Sequence, residues 1–205
     1  GSSELMTNLS MSLVNALYNL QLMKIAGENG VAAYGAVMYV NFIFVATFLG
    51  YAIGCAPVIS YHYGAGNHAE LKNLYKKSMS IILVWGVILF GAAQLLAPVL
   101  SKIFVGYNTG LYAMTLHGFR VYAIAFLIIG INIFGSSFFT ALNNGLISAV
   151  ISFLRTLMFQ VIMVLTLPLW FGINGIWSAI SVAEALTLIM TTTFFVRQKD
   201  KYHYL

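Results

Sequence analysis

The sequence predicts an all-α membrane protein with six transmembrane helices, and three observations lead to this fold class. Of the 205 residues, 60% are hydrophobic and 7% are charged, whereas a soluble domain carries about 25% charged residues. The apolar residues form long runs, which are separated by short segments rich in Gly, Asn and charged side chains. Because one span needs roughly 20 apolar residues, the chain is long enough for about six spans with short loops.

The predicted spans follow the apolar runs in order. Each one ends where Gly, Pro, Asn or charged residues interrupt the hydrophobic pattern. They lie at about residues 4–24, 36–62, 79–102, 118–140, 146–170 and 174–196. Residues 1–205 are therefore expected to form a single six-helix lobe.

Basic residues predict the direction of the spans. Three lysines lie within residues 72–77, between the second and third spans, and three basic residues lie within 197–201, after the sixth. Lys24 and Lys102 lie on the opposite side. By the positive-inside rule, both ends of the chain are expected to be cytoplasmic, and the net charge of +5 is interpreted as a topology signal rather than as affinity for nucleic acid.

The first predicted span carries a stripe of polar side chains. Its members follow one another at steps of four, four, three and four residues, which places them on one helical face. They are Glu4, Asn8, Ser12, Asn15 and Asn19. Unsatisfied polar groups cost several kcal/mol in lipid, so this stripe is expected to face either other helices, through hydrogen bonds, or a water-filled cavity.

A weaker polar stripe marks the fourth predicted span. Asn132, Ser136, Thr140 and Asn143 occur at i, i+4, i+8 and i+11, again on one face of a helix. Near the outer end of the same span, Arg120 is expected either to reach the lipid headgroups or to point into a cavity.

Two charged residues lie deeper in the predicted membrane region. Arg155 is about nine residues from the cytoplasmic start of the fifth span, and Glu184 is about twelve residues from the cytoplasmic end of the sixth. Neighbouring antiparallel helices would bring the two side chains to a similar depth. They are expected to form an intramembrane ion pair, with a proton or cation site at Glu184 as the alternative.

The second predicted span ends in GCAPVISYHYGAGN, residues 54–67. Pro57 removes a backbone donor and is expected to kink the helix, Gly54 to allow close packing, and Gly64 to help end it. We interpret these three residues as a site of helix bending.

Motifs for enzymatic chemistry are not found in the sequence. There is no Gly-rich phosphate loop, no HExxH motif and no nucleophile elbow. Cys55 is the single cysteine, and His62 and His68 have no third metal ligand nearby. The sequence therefore predicts neither an enzyme nor a metal site nor a bound cofactor.

Four segments, in order, resemble the MATE (multidrug and toxic compound extrusion) transporters. GCAPVISYHYGAGN is similar to the G-x-x-P-x-x-S-Y-x-x-G-A segment at the end of their eighth helix. GSSELMTNLSMSLVNALYN resembles their seventh helix, FRVYAIAFLIIGINIFGSSFFTALNNG their tenth, and FGINGIWSAISVAEAL the link into their twelfth. The resemblance covers essentially the whole chain.

This resemblance implies that the chain is helices 7 to 12, one lobe of a twelve-helix MATE-type transporter, with the N-terminal lobe absent from this sequence. Such a protein exports cationic and amphipathic compounds in exchange for Na⁺ or H⁺ across the plasma membrane, and its halves rock about a central site. It implies a substrate or ion pathway along Glu4, Asn8, Asn15, Asn19 and Asn132. Asn8 stands where many members have Glu, and Asn132 is nearest to the place of a tenth-helix Asp.

Two alternatives remain open at this stage. A lipid-linked oligosaccharide flippase of the same superfamily would need a more cationic cavity, for which the membrane region offers Arg120 and Arg155. A membrane scaffold or fragment without transport activity would have to cover its polar stripe with a partner. Besides lipid, the expected partners are the other lobe and small amphipathic or cationic substrates.

Overall fold

The computed structural model describes residues 2–205, with side chains from Asn8 onward. Within this range the chain forms six helices and no strands. The first two are the arms of the helical segment Ser2–Gly64, which is interrupted at Gly27; we label them α1 (residues 2–26) and α2 (residues 28–64). They are followed by α3 (His68–Val105), α4 (Thr109–Ala141), α5 (Gly145–Phe171) and α6 (Ile173–Tyr202).

Five helical segments of the described chain are long and apolar enough to cross a membrane. They are Asn8–Gly64, α3, α4, α5 and α6. The segment Asn8–Gly64 has 57 residues, more than one span requires. Its two arms meet at a kink at Gly27, where φ is 64° and ψ is −152°, a conformation that is strained for residues with a Cβ atom. The rings of Tyr18 and Tyr34, one on each arm, stack 5.0 Å apart, so the arms pack against each other. The described chain is therefore a multi-pass helical protein, as the composition predicts.

Asparagine side chains begin three of the helices. Asn67, Asn108 and Asn144 each accept a hydrogen bond at Oδ1 from the backbone N–H three residues later, at 3.1, 3.0 and 3.2 Å. These bonds satisfy donors that have no partner within the helix. The short Asn-containing links of the sequence therefore start helices as well as ending them.

The helices extend beyond most of the predicted spans. The sequence predicts the second and third spans to start at residues 36 and 79, but α2 continues directly from the Gly27 break and α3 starts at His68. The predicted boundaries follow the loss of hydrophobicity, whereas a helix ends only where its backbone hydrogen bonding stops. The polar residues 68–78, outside the predicted third span, are therefore still helical.

Helix α4 lies at the centre of the bundle. In the most apolar 18-residue stretch of α4, 67% of the residues are buried, compared with 22% in the corresponding stretch of α3 and 11% in that of α5. Gly118 lies against the ring of Trp177 in α6, and Gly130 lies against the ring of Phe48 in α2. A Cβ atom at either glycine would overlap these rings, so small residues allow the neighbouring helices to approach α4 closely.

One end of the bundle is closed by aromatic rings from α2, α3 and α6. The rings of Tyr63 and Tyr202 lie 5.6 Å apart, and those of His68 and His203 lie 4.6 Å apart. Tyr204 is buried, donates a hydrogen bond of 2.7 Å to the Phe195 carbonyl, and has a pKa that is raised by burial and by the nearby tyrosines. These contacts bring the basic segments 72–77 and 197–201 to the same end.

The predicted bending site at Gly54, Pro57 and Gly64 lies in the last part of α2, where the backbone is helical. Pro57 lies inside α2, yet Gly27 is the position with non-helical backbone angles in the segment Ser2–Gly64. Among the described residues, a Cβ atom at Gly54 would meet nothing within 4 Å, so close packing at this glycine stays a prediction. Helix α2 does end at Gly64, and Gly66, with φ 67°, forms the following turn. Bending at Gly54, Pro57 and Gly64 stays a prediction.

Gly118→Ala is expected to destabilise the protein by roughly 1 to 3 kcal/mol, because the added methyl group overlaps the buried indole of Trp177. Gly91→Ala in α3 is the matched control, since its Cβ would meet nothing within 4 Å. The control is expected to be neutral or stabilising, as Ala favours helix more than Gly does. Thermal unfolding in detergent measures both, and equal effects would contradict the packing at Gly118.

Candidate functional site

An ion pair lies in the middle of the bundle, between α5 and α6. Arg155 Nε is 2.9 Å from Glu184 Oε1. The Glu184 side chain is fully buried, whereas 19% of the Arg155 side chain is exposed. The two charges predicted to lie at similar depth are thus in direct contact, although the Nε–H does not point at the oxygen closely enough to form a hydrogen bond.

Asn132 holds the other side of the Glu184 carboxylate. Its side-chain amide donates to Glu184 Oε2 at 2.7 Å and to the Glu184 backbone carbonyl at 2.9 Å. Its own carbonyl oxygen accepts a hydrogen bond of 3.0 Å from the Thr191 hydroxyl. Asn132, Glu184 and Thr191 are all fully buried. Each carboxylate oxygen therefore has a polar neighbour, as a buried charge requires.

A π-helical turn positions the arginine. Residues Leu154–Met158 of α5 adopt this wider turn, and Arg155 lies within it. Such turns are rare and occur frequently at functional sites. The preceding turns of α5 are fixed to α4 by hydroxyl groups, because Ser136 Oγ lies 2.9 Å from Ser148 Oγ and 2.7 Å from Ser152 Oγ. Asn132, Ser136 and Thr140 of the predicted stripe thus join α4 to neighbouring helices, whereas Asn143 is exposed in the turn after α4.

A cavity of about 410 Å³ lies next to the ion pair. Its wall is formed by side chains from α1, α2, α4, α5 and α6, most of them apolar. The polar lining consists of Asn15, Tyr34, Asn41, Tyr122, Arg155, Thr156, Gln160 and Glu184. The arrangement can accept an amphipathic molecule, because an apolar wall surrounds a few fixed hydrogen-bonding groups.

The predicted pathway residues of α1 lie in different environments. Asn15 lines the cavity and accepts a hydrogen bond of 3.3 Å from the Tyr34 hydroxyl. Asn8, Ser12 and Asn19 are exposed and do not belong to the cavity lining. That these three residues face other helices or a cavity therefore stays a prediction. The side chain of Glu4 lies outside the described residues.

The remaining predicted residues have distinct positions. Asn132 lies behind the cavity, in contact with Glu184, rather than on its surface. Arg120 is exposed and does not line the cavity, and its backbone carbonyl accepts a hydrogen bond from Gln94. Contact with lipid headgroups remains the alternative that fits its exposure.

The sequence analysis does not predict five polar residues of the cavity lining, which are Tyr34, Asn41, Tyr122, Thr156 and Gln160. Tyr34 lies in the segment that was interpreted as a loop, and Asn41 and Gln160 are single polar residues within apolar runs. Asn41 and Gln160 could have been identified from the sequence, because a lone polar residue within a predicted span usually faces the bundle interior.

Arg155→Leu is expected to lower the yield and the thermal stability of folded protein, by roughly 3 to 5 kcal/mol, because it leaves a fully buried carboxylate without its cation. Glu184→Gln is expected to have a smaller effect, since the remaining Arg155 is partly exposed. The double variant Arg155→Leu/Glu184→Gln should recover much of the loss. Thermal unfolding and gel-filtration yield measure the series, with the exposed Arg120→Leu as a control; an additive double variant would argue against the pair.

The chain matches the protein-family model described as MatE over residues 5–166. The search of curated proteins found no match. Among solved structures, the chain is similar to an inward-facing multidrug resistance MATE family transporter of the MOP superfamily, with a TM-score of 0.91 and 20% identity over 98% of this chain and 47% of that chain.

Two further solved structures show the same fold. A MATE crystal structure in the straight conformation has a TM-score of 0.90 and 19% identity, over 100% of this chain and 46% of that one. An outward-facing MATE family transporter of the MOP superfamily has a TM-score of 0.88 and 20% identity, over 98% and 45%. The chain thus spans about half the length of the solved structures that it matches. Since the family model covers well over half of this chain, the protein belongs to the MatE family of membrane transporters.

Proposed function

We propose that this chain is one six-helix half of a secondary active multidrug efflux antiporter. The complete transporter exports cationic or amphipathic compounds in exchange for Na⁺ or H⁺ by alternating access, and it lies in the plasma membrane with both ends of this segment on the cytoplasmic side. The observation that carries the proposal is the cavity beside the buried ion pair, in a chain that belongs to a transporter family.

The exposed polar residues of α1 support a second lobe. Asn8, Ser12 and Asn19 are exposed on this chain, and contact with lipid would leave their side chains without hydrogen-bond partners. A second six-helix lobe would cover this face and enclose a polar pathway between the halves. This is the arrangement expected of transporters built from two parallel repeats.

Coupling to an ion requires that the ion binds one access state better than the other. Glu184 is the buried carboxylate of the described membrane region, and Asn132, Arg155 and Thr191 surround it. Movement of α5 relative to α6 would change the Arg155–Glu184 distance, and with it the affinity of the carboxylate for a proton or Na⁺. The network thus provides a route from helix motion to ion affinity.

The native polypeptide is expected to have about twice the mass of this 22.5 kDa chain, since two repeats form the transport pathway. An immunoblot of source membranes with an antibody against residues 197–205 measures its size. A band at the mass of this chain would contradict the two-lobe protein, and cross-linking would then test whether two copies pair along α1.

Transport of an amphipathic dye by the native polypeptide in proteoliposomes is expected to accelerate when an opposing Na⁺ or H⁺ gradient is imposed. The reason is that inward ion flow supplies the free energy for outward movement of the dye. Collapse of each gradient with an ionophore is the control. Dye transport that responds to neither gradient would refute the antiport mechanism.

A further inference from the structure

The cavity presents a positive group rather than a negative one. Glu184 also belongs to the lining, but its side chain is fully buried, and its two carboxylate oxygens already contact Arg155 and Asn132. Arg155 reaches the cavity surface, with 19% of its side chain exposed. Among residues 8–205, no other Asp, Glu, Lys, Arg or His side chain lines this cavity.

The end of the Arg155 side chain is free to bind a ligand. Its Nε is buried against Glu184, whereas neither terminal nitrogen is buried or has a hydrogen-bond partner among the described residues. These two nitrogens carry four N–H donors in a planar fork, which matches the geometry of a carboxylate or phosphate. Asn15 and Gln160, also in the lining, can add amide donors.

The apolar surroundings of Arg155 strengthen its electrostatic interaction with a ligand. The lining is mainly apolar, with Val14, Met38, Phe42, Leu49 and Ile180 among its members, so electrostatic interactions there are stronger than in water. The Glu184 carboxylate contacts the buried Nε of Arg155, so the terminal nitrogens are the part of the pair that remains accessible to a ligand in the cavity. Glu184 also keeps Arg155 in place, which lowers the entropic cost of binding.

From this geometry we propose that the cavity binds an amphiphile with a compact anionic head, a carboxylate or phosphate held by the terminal nitrogens of Arg155, and an apolar body packed against the walls. The inference rests on the proposed transport function and deepens it, because it selects among the amphipathic compounds those with an anionic head. The same head chemistry occurs in membrane lipids and in soluble organic acids.

Binding of two matched compounds to the native polypeptide in phosphatidylcholine nanodiscs tests this proposal. 2-Naphthoate and 2-naphthylmethylammonium share a ring system and differ in the charge of the head. By equilibrium dialysis, the carboxylate is expected to bind about tenfold more tightly or better, since hydrogen bonds between ionised groups are the strong ones. Equal affinities, or tighter binding of the ammonium compound, would overturn the proposal.

Two variants test whether Arg155 is the group that binds the anionic head. Arg155→Gln/Glu184→Gln removes both charges together and leaves no buried carboxylate unpaired, and it is expected to lose the preference for naphthoate. Arg120→Gln is the control, because Arg120 lies outside the cavity lining and should leave the preference intact. A preference that survives in the double variant would refute the role of Arg155. If the double variant does not fold, the comparison of the two compounds on the unaltered protein still decides.

The lipid composition of the nanodiscs distinguishes the two sources of the anionic head, membrane lipid and soluble organic acid. If naphthoate is displaced when the nanodiscs contain phosphatidylglycerol, the site takes anionic lipid; if it is retained, the site takes soluble acids. Either result keeps the anionic site. Dye transport that responds to no ion gradient, together with tight naphthoate binding, would reject the antiport mechanism and leave this inference standing.

Discussion

The buried carboxylate of Glu184 is the constraint on which the centre of this bundle depends. An ionised group in the membrane interior is costly unless it is paired and hydrogen-bonded. Arg155 supplies the opposite charge from α5, and Asn132 supplies the donor from α4. One side chain of α6 therefore fixes the positions of two other helices, and the π-helical turn of α5 brings the guanidinium to the required place.

Close packing around α4 makes this arrangement possible. Lipid provides little hydrophobic driving force between helices, so close packing and interhelical hydrogen bonds hold them together. Gly118 and Gly130 let the rings of Trp177 and Phe48 approach the backbone of α4. The serine cluster at Ser136 then joins α4 to α5 at the same level. Helix α4 thus forms a rigid support, and the more exposed helices α1, α2 and α5 form much of the cavity wall.

The cavity and the exposed polar residues of α1 lie along one helix. Asn15 faces the cavity, while Asn8 and Asn19 on the same helix are exposed. The proposed second lobe would cover the exposed part of this stripe. Within the described chain, the guanidinium of Arg155 gives the cavity its positive group.

The sequence by itself determined the class of protein and its apolar helices, because the length of a hydrophobic run is a local property of the chain. Spacing alone was enough to bring Arg155 and Glu184 to one level. Only the tertiary structure decided that Asn132 turns toward Glu184, that Asn15 but not Asn19 reaches the cavity, and that Gly27 rather than Pro57 interrupts the first helical segment. These outcomes depend on how each helix is rotated against its neighbours, and that rotation is set by side-chain packing between segments far apart in the sequence.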